Sequence, residues 1–401
     1  MMIPMSGPDL TEVEIEAVTS VLRTPCLSIG PRLVEFEERF AAFVGARYGI
    51  GVSSGTAGLH LCVIASGVGE GDLVITTPFS FVASANALLY ERAIPIFVDV
   101  NEADGNIDGS LVAEAAEDLR RGGRFAQRWL PPSWDISPAG RFAGILPVHV
   151  FGQPADMDSL LDTAQRFDVP IIEDACEAVG SAYKGRRVGT FGRAAVFAFY
   201  PNKQMTTGEG GMIVTSDPEW NDRFRSLRNQ GRDIFDAWLT HSRLGYNYRL
   251  SELGAALGVA QVSRLDALLC QRARVAGWYN QRLSGQDAVR IWSVAKTTTT
   301  MSWFIYVVRL AEGVARDRVM AELEKRGIPS RPYFSPIHLQ PLYVQRFGYK
   351  PGRYPVAEAL GASCLALPFS GVMTETQVDY VCQNLIEVVH HCGDHRGALA
   401  R

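Results

Sequence analysis

Apolar residues recur at helical spacing over residues 10–22 and again over 33–44, and the segment TPCLSIGP, ending at Pro31, separates the two runs. Both read as helices, an arm and an entry helix. The next stretch, IGVSSGTAGLHLCVIASG (residues 50–67), is a short apolar strand, a turn at Ser53 to Thr56 and an apolar helix. Strand-like runs follow at residues 73–77, 94–98, 144–150 and 169–172, with helical stretches at 84–91 and 157–167 between them. Strands alternating with helices imply right-handed crossovers, so the pattern predicts an α/β chain whose mainly parallel sheet is covered by helices on both faces. The glycines of GVGEG (67–71) precede a strand instead of following one, which makes them a turn and not a dinucleotide fingerprint.

Further along, the apolar run at residues 196–199 leads to Lys203, and GEGG (208–211) opens the strand MIVTS. A basic helix around 220–229 follows. From Ser251 the sequence reads as one long helix with a small-residue face of Gly254, Ala255 and Gly258, suited to close packing. A strand at 303–310 and helices at 316–326 and 378–390 then predict a compact α+β unit. The expected division is a large domain over 1–250, with an N-terminal arm, and a small domain over 251–401 entered by the long helix. The stretch 120–141, RRGGRFAQRWLPPSWDISPAGR, is too irregular for sheet and is either a surface excursion or a flap over a substrate.

Composition narrows the class. With 47% apolar and 20% charged residues in 401, this is the balance of a soluble globular protein. A net charge of −4 gives no electrostatic case for nucleic acid or an anionic membrane. Seven cysteines without a C-x-x-C pair fit reduced thiols, and the start MMIPMSGPDLTEVEIEAV lacks the basic end and apolar core of a signal peptide. No run approaches the ~20 apolar residues of a membrane span. The expected location is the cytoplasm. The tail HHCGDHR has metal-ligating types but no second cluster, so no metal site is expected.

Two ionisable residues stand where strands should give way to loops: Asp174 after the 169–172 run and Lys203 after 196–199. Ligands bind at such strand ends in open α/β sheets. An amine and an acid so placed are what pyridoxal phosphate (PLP) requires, the lysine for a Schiff base with the aldehyde and the carboxylate to keep the pyridine nitrogen protonated. The plain alternatives are a helix cap for the aspartate and a solvated loop for the lysine. The turn at Ser53 to Thr56 places N–H groups and hydroxyls at a helix N-terminus, an anion site unless it is only a cap.

The stretches VSSGTAGLHL, TTPFSFVASANAL, PVHVFGQPADMD, EDACEA, FYPNKQMTTGEGG and LGYNYRLSE stand in an order and spacing that resemble the DegT-type, fold-type-I PLP-dependent aminotransferases acting on nucleotide sugars. The resemblance implies that Lys203 is the Schiff-base lysine, Asp174 the pyridinium partner, Phe81 the stacking ring, and Gly55 and Thr56 the phosphate cradle. It also implies that Asn247, with Arg249 beside it, reaches the cofactor phosphate of a neighbouring subunit in a homodimer with shared sites. Two positions depart from the family pattern. Five residues before the lysine the family often has serine, and here stands Ala198; three residues after Asp174 many members have Gln or His, and here stands Glu177. An ionised carboxylate cannot donate to the cofactor's ring oxygen, so Glu177 is protonated or the proton is on the cofactor. With the run SRPYFSPIHLQPLY, Glu177 looks most like the perosamine-synthase-like branch; His338 in that run is a packed residue or a substrate contact.

The implied activity moves an amino group from an amino acid, glutamate by resemblance, to a keto nucleotide sugar, with Lys203 as the mobile acid and base. A sugar dehydratase of this family would carry histidine in place of Lys203. An aminocyclitol aminotransferase is the alternative within the class, and a non-catalytic PLP-binding sensor or scaffold the alternative outside it.

Overall fold

A computed structural model describes residues 2–134, 140–233 and 240–393. The central sheet is built from β1 (Tyr48–Val52), β2 (Leu73–Thr76), β3 (Ile94–Phe97), β4 (Phe142–Leu146) and β5 (Ile172–Asp174). After the short pair β6 (Ala182–Tyr183) and β7 (Arg186–Arg187), it is completed by β8 (Ala194–Ala198) and β9 (Gly211–Thr215). β2 pairs parallel with both β3 and β4, setting Ile75 opposite Ile96 and Ile145, and β5 pairs parallel with β8. Parallel bridges from Ile145 to Ile171 and from Val148 to Asp174 join the two groups. Only β9 runs against its neighbours, β8 and β1. The strands are buried almost end to end, as a sheet covered on both faces requires.

The cover comes from α1 (Glu12–Leu22), α2 (Pro31–Val44), α3 (Gly55–Ala65), α4 (Ala83–Tyr90), α5 (Gly109–Arg121), α6 (Gly123–Gln127), α7 (Met157–Phe167) and α8 (Pro218–Arg228). α3 is buried on nearly every side because it lies between the sheet strands β8 and β9 and the helices α4 and α8, and apart from Thr56 and His60 its residues are apolar or glycine. Gly58 permits that approach, since a Cβ there would stand 2.7 Å from Val196 Cγ1.

The helix expected to run on from Ser251 is two helices. α9 (Glu252–Ser263) packs on α1 and α2, and α10 (Leu265–Leu283) leaves it at 67°. At the corner, Arg264 abandons helical dihedrals while its guanidinium reaches back to Asp9 at 2.9 Å and Glu14 at 2.7 Å on the N-terminal arm. The small-residue face serves α2, because a Cβ on Gly258 would meet the Phe36 ring at 2.7 Å. The expected domain boundary therefore falls just before a helix that packs with the N-terminal part of the chain.

Beyond α10 lie β10 (Val289–Ile291), β11 (Thr298–Thr300), which pairs with β6, β12 (Tyr306–Leu310), β13 (Arg331–Pro332) and β14 (Cys364–Leu367). β10, β12, β14 and β13 form an antiparallel sheet in that order. The helices here are α11 (Arg316–Lys325), α12 (Pro341–Phe347), α13 (Pro355–Ser363) and α14 (Glu375–Gly393). α10, α11 and α14 enclose a second core around Tyr279, Val308, Leu365 and Leu385, which Ile3 of the arm joins.

The stretch 120–141 is partly helical, holding the end of α5 and all of α6. Asp118 organises it by accepting from Trp129 Nε1 at 2.9 Å and Arg128 Nε at 2.6 Å, and Ser133 N–H bonds Phe347 C=O at 3.0 Å. Residues 135–139 of this stretch, and residues 394–401 of the tail, lie outside the described residues. Among the described residues no single helix is long and apolar enough to cross a membrane.

Candidate active site

β5 ends on Asp174, and the chain turns there under the control of its carboxylate. Oδ1 accepts from Cys176 N–H at 3.1 Å, while Oδ2 accepts from Ser84 Oγ at 2.6 Å across the sheet end. The carboxylate is thus oriented by two donors although only 5% of the residue is exposed. β8 ends on Ala198, and the loop that follows carries Lys203 to the same end of the sheet. The Lys203 ammonium lies 3.8 Å from the centre of the Phe304 ring and 4.0 Å from Glu177 Oε1.

Arg272 holds that loop from behind. Buried in α10, it donates to the carbonyls of Asn202, Trp303 and Phe304, so one guanidinium ties the residue before Lys203 to the residue beneath its amine. Burial without a carboxylate partner lowers its pKa to about 10.

Glu177 is the perturbed acid of the site. Its Oε2 accepts from Phe151 N–H at 2.9 Å, an amide presented by a 3-10 turn in which Phe151 has a φ of 58°. The strand expected over 144–150 stops at Leu146, and the chain after Pro147 forms this turn instead. Burial lifts the Glu177 carboxyl to about 7, outweighing the nearby Lys203 ammonium and the Phe151 hydrogen bond that pull it down. Burial, with Asp174 beside it, also pushes the Cys176 thiol well up, so it is no thiolate nucleophile.

Opposite these groups α3 begins at Gly55. Ser54 caps it by accepting from Ala57 N–H at 3.1 Å, and Gly55 and Thr56, whose first-turn N–H groups have no partner within the helix, line the cavity. A Cβ on Gly55 would lie 2.8 Å from Ala198 Cβ and 2.9 Å from Cys176 Sγ, and one on Gly211 would lie 2.7 Å from the Ser54 carbonyl. The backbone here is packed so closely that only glycine fits, which keeps the helix end open to a ligand. Position 198 flanks that end directly, and as alanine it offers no hydroxyl to the cavity there.

Gly55, Thr56, Phe81, Asp174, Glu177 and Lys203 line one cavity of about 420 Å³. It opens past Phe81, Phe304 and Tyr333 into an outer cleft of about 800 Å³ that Asn86, Arg331, Gln340 and Tyr343 also line. Phe81 is 60% exposed, an aromatic face left uncovered at the junction. The inner cavity suits PLP: a pinched helix N-terminus for a phosphate at one end, a buried and hydrogen-bonded carboxylate at the other, and an amine on the wall. Among the described residues no cluster of three metal-ligating side chains exists.

Three residues singled out in the sequence are not brought to this cavity. His338 is fully buried, with Nε2 3.0 Å from Glu358 Oε1 and its ring edge-on to Tyr354. Burial lowers its pKa despite Glu358, so it packs as a neutral ring while its neighbour Ile337 faces the outer cleft. Arg249 donates to Asn229 Oδ1 at 3.1 Å, and Asn247 is exposed beyond it. Conversely, Ser84, Phe304, Tyr333 and Arg272 serve the cavity without having been singled out. Ser84 stands within the TTPFSFVASANAL stretch, whereas Arg272 has no local signal, being one arginine among several on its helix.

Residues 8–386 match the model of the DegT/DnrJ/EryC1/StrS aminotransferase family. The chain belongs to that family. It is 38% identical over 391 residues to a GDP-perosamine synthase of Caulobacter vibrioides, covering 96% of this chain and 98% of the relative. It is 34% identical over 401 residues to the spore coat polysaccharide biosynthesis protein SpsC of Bacillus subtilis, covering 96% and 97%. The solved structure of DesV from S. venezuelae superposes with a TM-score of 0.82 at 33% identity, over 93% of each chain. The protein is therefore an aminotransferase with the fold-type-I architecture, and the sensor or scaffold alternative falls away.

Proposed function

We propose that this aminotransferase uses PLP to move an amino group from an amino acid, glutamate in our reading, to a ketone on a nucleotide-linked sugar. The observation that carries the proposal is that Asp174 at the end of β5 and Lys203 in the loop after β8 line one cavity with the N-terminus of α3. PLP, when bound, supplies an electron sink and a carrier for the amino group. The chain's own residues do the rest. Gly55 and Thr56 hold the phosphate with backbone N–H groups and a hydroxyl, and Phe81 offers its ring as a stacking face. Asp174, fixed by Ser84 and Cys176 N–H, keeps a proton on the heterocyclic nitrogen. Lys203 anchors the group covalently and, once displaced, is the base and acid that moves the proton at the reacting carbon. Glu177, raised to about 7, is protonated in a large share of molecules near neutrality, and in that form it would be able to donate a hydrogen bond toward the ring oxygen.

The outer cleft of about 800 Å³ is larger than an amino acid needs and has room for a nucleotide diphosphate. Arg331 at its wall is exposed and donates within the chain to its neighbour's carbonyl, Ser330 C=O at 2.9 Å, which leaves guanidinium donors for phosphate oxygens. The likeness to a perosamine synthase, together with Glu177, supports a 4-keto-6-deoxy sugar. In this reading the enzyme works in the cytoplasm as a homodimer, with Asn247 of each copy completing the other's phosphate site. Purified enzyme is scanned in the near-ultraviolet and visible with and without glutamate, then offered UDP-, dTDP- and GDP-linked keto sugars and cyclitol ketones. A glutamate-dependent spectral change reversed by a nucleotide keto sugar is expected. Reversal by cyclitol ketones alone would move the assignment to aminocyclitols, and no spectral response would overturn it.

A further inference from the structure

The helix α3 carries a buried histidine for which the proposed chemistry has no use. His60 is 4% exposed, with Nε2 2.8 Å from Glu91 Oε1 and Nδ1 3.2 Å from the Tyr248 hydroxyl. Its ring lies edge-on to Tyr246 at 5.0 Å, and Tyr246 stacks on Tyr248 with centroids 5.0 Å apart. Those tyrosines flank Asn247 on an extended segment. Tyr246 N–H bonds Leu227 C=O at 2.7 Å, Tyr248 N–H bonds Arg228 C=O at 3.0 Å, and Ser53 N–H bonds Tyr248 C=O at 2.8 Å. Side chains alternate along such a backbone, so both rings turn inward to His60 while Asn247 between them turns outward, where it is exposed. A polar ring buried here costs desolvation that an apolar residue would avoid. What it provides is a fixed position and angle for Tyr248.

We infer that His60 is a positioning residue for the cofactor site of a second copy of this chain: by clamping Tyr246 and Tyr248 it fixes the direction in which Asn247 leaves its own subunit. The inference rests on the proposed reading that Asn247 completes the neighbour's phosphate site. It adds that one rigid helix serves two sites. The N-terminus of α3, at Gly55 and Thr56, cradles the phosphate of its own subunit, and its next turn holds the group sent to the other.

Differentially tagged mixed dimers separate this role from a plain structural one. Apo dimers are titrated with PLP while the visible absorbance of the Lys203-bound cofactor is followed, so that only a subunit with an intact lysine reports. In a dimer of Lys203→Ala with His60→Ala, the reporting site receives Asn247 from a subunit whose His60 is intact, and wild-type affinity is expected. In a dimer of wild type with the double variant Lys203→Ala/His60→Ala, the reporting site receives a misplaced Asn247, and affinity about tenfold weaker is expected, as for loss of one charge-assisted hydrogen bond. The opposite order would mean that His60 acts on its own subunit's cradle through α3, wild-type affinity in both dimers would mean that it acts on neither, and equal weakening in both would mean a general structural role; each overturns the inference. The same dimers with Asn247→Ala in place of His60→Ala test the underlying reading: no weakening there refutes the shared site itself, whereas weakening there and none with His60→Ala refutes only the inference. Tyr248→Phe, which removes only the hydroxyl, replaces His60→Ala with the same expectations if that subunit does not fold.

Discussion

Glu177→Gln takes a titrating proton out of the cavity while keeping the side chain's size and the acceptor that Phe151 N–H meets at 2.9 Å. Burial holds the native carboxyl at about 7 against an ordinary 4.5, and the Lys203 ammonium at 4.0 Å does not reverse this. A difference of that size corresponds to about 3 kcal/mol. Its direction follows from proton counting. Between the ordinary value and about 7 the folded apoprotein keeps a proton that the unfolded chain has released, so stability falls as pH rises through this window. Below the window the wild type and the variant differ little; above it the native protein bears the full cost of a buried carboxylate. The unfolding free energy of Glu177→Gln relative to wild type is therefore expected to grow by about 2–3 kcal/mol between about pH 5 and pH 8. Urea titrations of the two apoproteins across that range measure it. Parallel stability profiles would refute the reasoning, because they would mean that Glu177 ionises normally. In the loaded enzyme the same substitution should preserve turnover and flatten the pH dependence of the cofactor's absorbance on the side where the acid would ionise.

Lys203→Ala is expected to lower turnover by at least about a hundredfold while leaving the apoprotein folded, as circular dichroism would show, since the residue lies in a loop and its loss removes both anchor and proton carrier. Gly55→Ala should weaken PLP affinity in a fluorescence titration, because the added methyl would stand 2.8 Å from Ala198 Cβ and 2.9 Å from Cys176 Sγ at the mouth of the phosphate cradle. Gly258→Ala should destabilise the apoprotein by about 1 kcal/mol in urea: overpacking against the buried Phe36 ring, about 2 kcal/mol, outweighs the roughly 1 kcal/mol that alanine gains in a helix. A neutral or stabilising result would mean that α9 and α2 are less tightly apposed than their geometry indicates.

The chemistry of this chain was legible where it is written in local order. Asp174 and Lys203 each follow an apolar run, and a hydroxyl-and-glycine turn announces the start of α3, so strand ends and a helix N-terminus alone bring the acid, the amine and the anion cradle together. The bend at Arg264 was not legible, because the apolar spacing of α9 continues into α10 without a glycine or proline, and what breaks the helix is a pull from Asp9 and Glu14 some 250 residues earlier. Arg272 was invisible for a related reason: its three acceptors are backbone carbonyls, which carry no sequence signature. His338 shows the reverse case. A histidine in a proline-rich run reads as either a packed residue or a substrate contact, and tertiary packing against Glu358, Tyr349 and Tyr354 decides for the first by burying it away from the cleft. The raised pKa of Glu177 could not be read from its type; it comes from burial, which overrides the Lys203 ammonium and the Phe151 N–H that pull it down.

Isotope transfer shows whether the cavity between Asp174 and Lys203 carries an amino group from a donor to a nucleotide-linked ketone. Enzyme loaded with PLP is given glutamate bearing labelled amino nitrogen, freed of excess donor, and mixed with the nucleotide keto sugar that reverses the spectral change; mass spectrometry then locates the label. One labelled amino group on the sugar is expected for each active site in the wild type, and none with Lys203→Ala. Label that stays with the protein while the sugar returns unchanged, or an equal yield from Lys203→Ala, would contradict that role for the cavity.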